Sequence, residues 1–275
     1  MKRVVILTGN DLRHQFFRKK IALTPGIEVA RSYCETGKQV LSPLEEEPLN
    51  TLRDQHLKAR LQSETDFFDL YVTYARDISN AVLIENGSIN NPQYTEEIYS
   101  LNIDLIIVYG SSILKPPLLN LFPGRILNVH LGLSPYYRGS ATNYWPLVDS
   151  LPECVGATFM YIDEGIDTGE VIHQIRPEMC FFDTPSSIGN RLIKQMTGVY
   201  ARLIIEFDNL KKNEPVEFNP LRKLCKRKDY TEASVQKLYA NFSNGMINKY
   251  LATKAERDNS FPIITNKNDA LSFII

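Results

Sequence analysis

The chain has 275 residues, enough to bury a sizeable core and to form one main domain with an appendage. Its 31 basic and 32 acidic residues nearly cancel, so no global charge draws it to nucleic acid or to a membrane surface. Cys34, Cys154, Cys180 and Cys225 form no CxxC pair, and the short apolar start lacks the length of a signal peptide or membrane span. Free thiols in a soluble, cytoplasmic protein are expected.

Residues 4–7 predict a buried first strand, and Gly9-Asn10-Asp11 a turn that caps a helix over residues 12–23. Thr24-Pro25-Gly26 stops that helix, and residues 27–31 form a second strand. A long polar helix is expected over residues 44–69, on its loosely spaced leucines and Phe67-Phe68. Residues 104–110 are the clearest strand, an apolar run ending at Gly110, and Pro116-Pro117 leads a short helix. Strands follow at residues 126–130, 155–162 and 171–175, the last as an antiparallel edge. An amphipathic helix covers residues 186–209, carrying Ile188, Leu192, Met196, Val199, Leu203 and Phe207. Beyond Pro215 come a basic run at residues 222–228, a helix at 230–242 and an apolar end at 263–275.

Apolar strands alternating with helices predict an α/β domain with a mainly parallel sheet, whose ligands sit beyond the carboxyl ends of its strands. The polar loops fall there. Asn128 and His130 share one face of a strand by its two-residue period. An amide and an imidazole side by side can meet a developing oxyanion; a core histidine and a turn asparagine fit the same residues equally well. Asp167, in Asp163-Glu164-Gly165-Ile166-Asp167-Thr168-Gly169, would orient and charge the imidazole if it reaches His130, although acidic residues with glycines also make ordinary turns. The four histidines show no metal-ligand spacing, so no metal is expected, and His173 is read as facing solvent. Asn10 and Arg13 could hold an anion at a helix start, or simply turn the chain. Arg138 is the better anion candidate because it lies beside the presumed chemistry. The basic run at 222–228 is read as a solvated face, with phosphate contact as the other reading.

Asn128-Val129-His130-Leu131-Gly132-Leu133-Ser134-Pro135-Tyr136-Tyr137-Arg138-Gly139, then Trp145 and the Asp163–Gly169 segment, resembles the formyltransferases that use N10-formyltetrahydrofolate. The likeness is strongest over residues 100–175. It implies a Rossmann-like catalytic domain over residues 1–210 and a small C-terminal extension over 211–275, for packing or dimerisation. It also implies that Asn128 and His130 bind the formyl oxygen and that Asp167 aids proton movement. Tyr109, Gly110, Ser111, Ile113 and Leu114, with Tyr161, Asp163 and Gly165, would enclose the folate. Asn10, Arg13, Gly132, Arg138 and Gly139 would face the acceptor.

Within that group the chain is expected to resemble most the enzymes that formylate amino sugars on nucleotide carriers. The extension looks too short for the barrel of the tRNA enzymes, and Gly9-Asn10-Asp11 matches only loosely the phosphate loop of those acting on glycinamide ribonucleotide. A nucleotide-linked amino sugar is therefore the expected acceptor, for surface polysaccharide assembly, with a homodimer implied and nucleic acid set aside. The alternatives are glycinamide ribonucleotide or methionyl-tRNA formyltransferase, a formyltetrahydrofolate hydrolase, and a non-catalytic folate-binding protein.

Overall fold

A computed structural model describes residues 1–37, 51–165, 168–211, 213 and 216–268. Alternating β1 (Lys2–Gly9) and α1 (Leu12–Ala22) lead into β2 (Ile27–Thr36), longer than the sequence suggests. Of the helix expected over 44–69, the first seven residues lie outside the described ones; α2 runs Leu52–Tyr74, capped by the Thr51 hydroxyl, which accepts the Asp54 N–H at 3.1 Å. Next come β3 (Ala81–Glu85), α3 (Pro92–Ser100), β4 (Leu105–Tyr109), α4 (Pro116–Leu121), β5 (Ile126–His130) and a short β6 (Tyr137–Gly139). The chain continues through α5 (Trp145–Val148), β7 (Ala157–Tyr161), β8 (Val171–Ile175), α6 (Pro185–Ile205) and β9 (Lys223–Cys225) to α7 (Glu232–Ser243), α8 (Met246–Ala252) and α9 (Lys254–Ser260).

The main sheet has the order β3-β2-β1-β4-β5-β7-β8. The first five strands are parallel; β7 runs antiparallel to β5 and β8 antiparallel to β7, so β7 is the reversed strand and the edge strand β8 points the same way as the first five. Strand order reverses between β1 and β4, which opens the crevice where α/β sheets take ligands. Alternation along the strands divides the core. Val4, Ile6, Leu105, Ile107, Leu127 and Val129 face a large cluster shared with α1, α2 and α6. Val5, Leu7, Ile106, Val108 and Ile126 face a smaller cluster under α3 and α4.

The C-terminal residues pack into the same large cluster through Val235, Leu238, Ile247 and Tyr250. Strand β9 pairs in parallel with β6, and Glu232 accepts the Leu52 and Arg53 N–H groups at 2.9 and 3.0 Å. A carboxylate there satisfies orphan donors at the start of α2 and favours the positive end of its dipole. Among the described residues, no helix is long and apolar enough to cross a membrane.

Candidate functional site

Strand β5 brings Asn128 and His130 to the face opposite Leu127 and Val129. Pairing of β4 with β5 ends at Val108 and Asn128, so the two strands diverge where these side chains begin. Asn128 is half-buried, and its amide makes no hydrogen bond among the described residues. His130 is 8% exposed, with Nε2 3.3 Å from the Tyr137 carbonyl. A carbonyl only accepts, so that nitrogen carries the proton in this contact.

The loop leaving His130 is tightly built. Gly132 is required there, because a Cβ would stand 2.6 Å from His130 Nε2 and 2.7 Å from Thr142. The Thr158 hydroxyl donates to the Gly132 carbonyl at 2.6 Å and accepts the Ser134 N–H at 3.0 Å. Gln174 Nε2 reaches both the Ser134 carbonyl (2.6 Å) and the Thr158 hydroxyl (2.9 Å). Its Oε1 accepts the Ile264 N–H at 2.9 Å. Further on, Arg138 lies opposite Leu224 of β9, and its Nε is buried without a hydrogen-bond partner among the described residues. At Gly139, φ is +94° and a Cβ would meet the Cys225 carbonyl at 2.4 Å, so only glycine lets β9 approach.

Tyr109 ends β4 on the other side, inside the large cluster against Phe17 and His14, and burial pushes its phenol above the ordinary range. Gly110 turns with φ +73°, and its missing Cβ leaves room for His14, as does that of Gly9. His14 Nδ1 accepts the Asp11 N–H at 3.2 Å. Burial, then the Arg13 and Arg60 charges, holds this histidine well below its usual value, so it is neutral. Ser111 is half-buried, Ile113 exposed and Leu114 buried in the small cluster.

Asn10 and Arg13 stand at the end of β1, beside that segment. The Arg13 guanidinium is engaged by Glu64 (2.8 Å) and Asp11 (2.5 Å), and the Asn10 carbonyl accepts from Gln15. Tyr161 pairs with Leu127 and His130 with Thr158, so Tyr161 leaves the sheet about 10 Å from His130 along the strand. There the Asp163 carboxylate accepts the Gly165 N–H (3.0 Å) and the Thr168 hydroxyl (2.8 Å). Asp167 lies outside the described residues.

The structure thus gathers Asn128, His130, Gly132, Arg138, Gly139 and the 109–114 segment at the carboxyl ends of β4 and β5. Sequence reasoning missed His14, Glu35, Thr158 and Gln174, which hold the surrounding loops; all four are buried polar groups. His173, read as facing solvent, is 4% exposed and accepts the Asn266 N–H at 3.0 Å. The reason is that the C-terminal segment covers β8. Among the described residues, no group of three His, Cys, Asp or Glu could hold a metal ion.

The formyl transferase family model matches residues 44–204, more than half of the chain and all of β5. A methionyl-tRNA formyltransferase of Desulforamulus reducens is 36% identical over 118 residues, covering 43% of this chain and 35% of that protein. One from Lachnospira eligens is 29% identical over 160 residues, covering 58% and 47%. The matched stretch spans less than half the length of these curated relatives. Glycinamide ribonucleotide transformylase 1 of Symbiobacterium toebii shares the fold, with a TM-score of 0.53, 18% identity, and coverage of 82% of this chain and 95% of that one.

These relatives correct the expected kinship with enzymes of nucleotide-linked amino sugars: those named above act, by name, on methionyl-tRNA or glycinamide ribonucleotide. Relatives named for a tRNA also remove the ground for setting nucleic acid aside. The physical reason lies in the C-terminal extension, whose modest length had pointed to the sugar enzymes. Its residues brace α2, β6 and β8, so their number reports packing and carries no information about the acceptor. The expected formyltransferase core stands, with its matched segment, its parallel strands and its Asn-x-His at the end of β5: the chain belongs to the formyl transferase family.

Proposed function

We propose that the chain transfers the formyl group of N10-formyltetrahydrofolate to the primary amine of methionyl-tRNA. The observation that carries formyl transfer is the Asn128 amide, unengaged among the described residues, beside His130 at the mouth between β4 and β5 and inside the matched segment. The donor brings an activated formyl carbon. Asn128 and His130 donate hydrogen bonds to the oxygen of that carbon as an uncharged amine attacks it and charge gathers there. Asp167 takes the proton released by the amine, directly or through water, and keeps the His130 ring charged and oriented. The carbon–N10 bond then breaks, N10 leaves with a proton, and the products are an N-formyl amide and tetrahydrofolate. Gly132, Arg138 and Gly139 shape the acceptor side, with Asn10 and Arg13 at its border. The 109–114 segment, with Tyr161, Asp163 and Gly165, holds the folate.

Two observations favour a tRNA acceptor. The sequence relatives named above are methionyl-tRNA formyltransferases. In addition, exposed Lys226, Arg227 and Lys228 have no ion-pair partner among the described residues, and the Ser140 N–H to the Cys225 carbonyl (3.0 Å) fastens their segment to the loop that follows His130. Cations so placed suit a phosphate backbone. The second reading is glycinamide ribonucleotide, favoured by the nearly complete coverage of the small transformylase structure. The three buried cysteines, all free thiols, accord with work in the cytoplasm.

Incubation with N10-formyltetrahydrofolate and each acceptor, followed by mass spectrometry, separates these readings. Formyl-methionyl-tRNA is the expected product. Formylation of glycinamide ribonucleotide alone selects the second reading, and no product from either overturns both.

A further inference from the structure

Glu35, near the end of β2, is 6% exposed, and among the described residues no cation pairs with it. Burying an ionised carboxylate without a counter-charge is costly unless N–H or O–H donors replace its water. Those donors come from two different loops. Oε1 accepts the Gly87 N–H at 2.9 Å; Oε2 accepts the Ser112 N–H at 2.6 Å and the Ser111 hydroxyl at 3.4 Å. Gly87 follows β3 and Gly110 follows β4, and both loops turn through left-handed glycines, at φ +83° and +73°.

The bond between these loops continues outward from the carboxylate. Asn86 Nδ2 donates to the Ser112 hydroxyl at 3.2 Å. Asn90 donates to the Ile113 carbonyl at 3.0 Å and accepts the Lys115 N–H at 2.8 Å. Every one of these contacts fixes the path of residues 111–115. None of them engages the backbone N–H of Ile113 or Leu114, which make no hydrogen bond among the described residues. A short segment with pinned ends and unengaged backbone donors is pre-shaped to meet the edge of a polar heterocycle.

We propose that Glu35 is the positioning residue of the donor subsite: it holds segment 110–114 in the shape that receives the folate, without touching the folate itself. This rests on the proposed function, which supplies the donor. Because the clamp stands away from Asn128 and His130, it governs how well the donor is held and leaves the chemical step alone.

The test compares Glu35→Gln and Asn90→Ala with the unaltered chain. Glu35→Gln turns one acceptor into a donor facing an N–H; Asn90→Ala removes the partly exposed half of the same tie and keeps the buried carboxylate. Calorimetric titration with tetrahydrofolate, the product, reads donor affinity, and steady-state rates read kcat and both KM values. Expected for each variant are a donor KM and a tetrahydrofolate Kd raised about tenfold, a kcat within twofold, and an unchanged acceptor KM. Unchanged tetrahydrofolate affinity in both variants, with only a lowered Tm, overturns the positioning role and leaves the proposed function standing. Failure of the unaltered chain to bind tetrahydrofolate overturns both.

Discussion

Thr158 is the cross-strand partner of His130, and its single hydroxyl ties the two halves of the loop that leaves that histidine. Replacing it by valine strips a donor from the Gly132 carbonyl and an acceptor from the Ser134 N–H, both in a buried setting. Each stranded group costs about 1–3 kcal/mol, so Thr158→Val should lose roughly 2–4 kcal/mol in denaturant unfolding. Thr158→Ser keeps the hydroxyl and should stay within about 1.5 kcal/mol of the unaltered chain. A Thr158→Val variant as stable as the unaltered chain would show that the hydroxyl's hydrogen bonds do not set the stability.

Asn128→Ala removes a donor that no described residue of the fold engages. Its Tm should therefore hold while transfer falls on the order of 10²–10³-fold, the usual loss for one oxyanion donor. Gly132→Ala approaches the same centre from behind, since its methyl needs the space of His130 Nε2. A displaced ring should lower kcat roughly 10²-fold. Transfer rates with saturating donor and acceptor check both; full activity in Asn128→Ala would take the amide out of the mechanism.

Besides His14, two buried histidines make the fold sensitive to acid. Burial lowers His173 to about 4, and burial with the Arg60 charge lowers His56 to about 4. A depressed value means that the unfolded chain takes up the proton first. The stability these groups contribute is complete above the ordinary histidine value near 6.5 and is lost as pH falls from there towards 4. Each histidine should contribute a slope of about 1.4 kcal/mol per pH unit inside that window. In both rings Nδ1 faces the partner, the Tyr239 hydroxyl for His56 and the Asn266 N–H for His173. The pair His56→Asn and His173→Asn should flatten the pH profile of the urea midpoint; an unaltered slope would move the acid sensitivity elsewhere.

Glu232 caps α2 from 180 residues further along the chain. Glu232→Ala should cost about 1–2 kcal/mol, in the range of a lost N-cap. Glu232→Gln keeps two acceptor positions' geometry at one oxygen only and should lose less. Hydrogen exchange at Leu52 and Arg53 checks it directly: faster exchange at these amides alone is expected, and no change would remove the cap.

Much of strand β5 was legible because its signal is local. Ile126–His130 is an apolar run broken by two polar residues on one face, and the structure gives the same bounds. Strand β3 escaped notice because its apolar run, Ala81-Val82-Leu83-Ile84, is too short to tell a strand from a helix segment, and at the sheet edge Ala81, Leu83 and Glu85 are exposed. The direction of β7 was equally hidden, since a buried run reads alike either way. Pairing of β6 with β9 joins two three-residue strands more than 80 residues apart, and neither carries a pattern of its own. Nothing in the sequence around His14 marks it as buried; its burial depends on two absent side chains, at Gly9 and Gly110. The acceptor was least legible, because the residues that suggested it are engaged in packing.

The bond from Ile264 to Gln174 has a consequence for the life of the protein on the ribosome. Asn128 and His130 are translated before the midpoint of the chain, yet the side chain that steadies the loop behind them finds its own partner only at Ile264. The sheet can assemble early, but the loop that follows His130 gains this last tie only after residue 264 has cleared the exit tunnel. A nascent chain stalled before that point would carry Asn128 and His130 without this brace on the loop behind them.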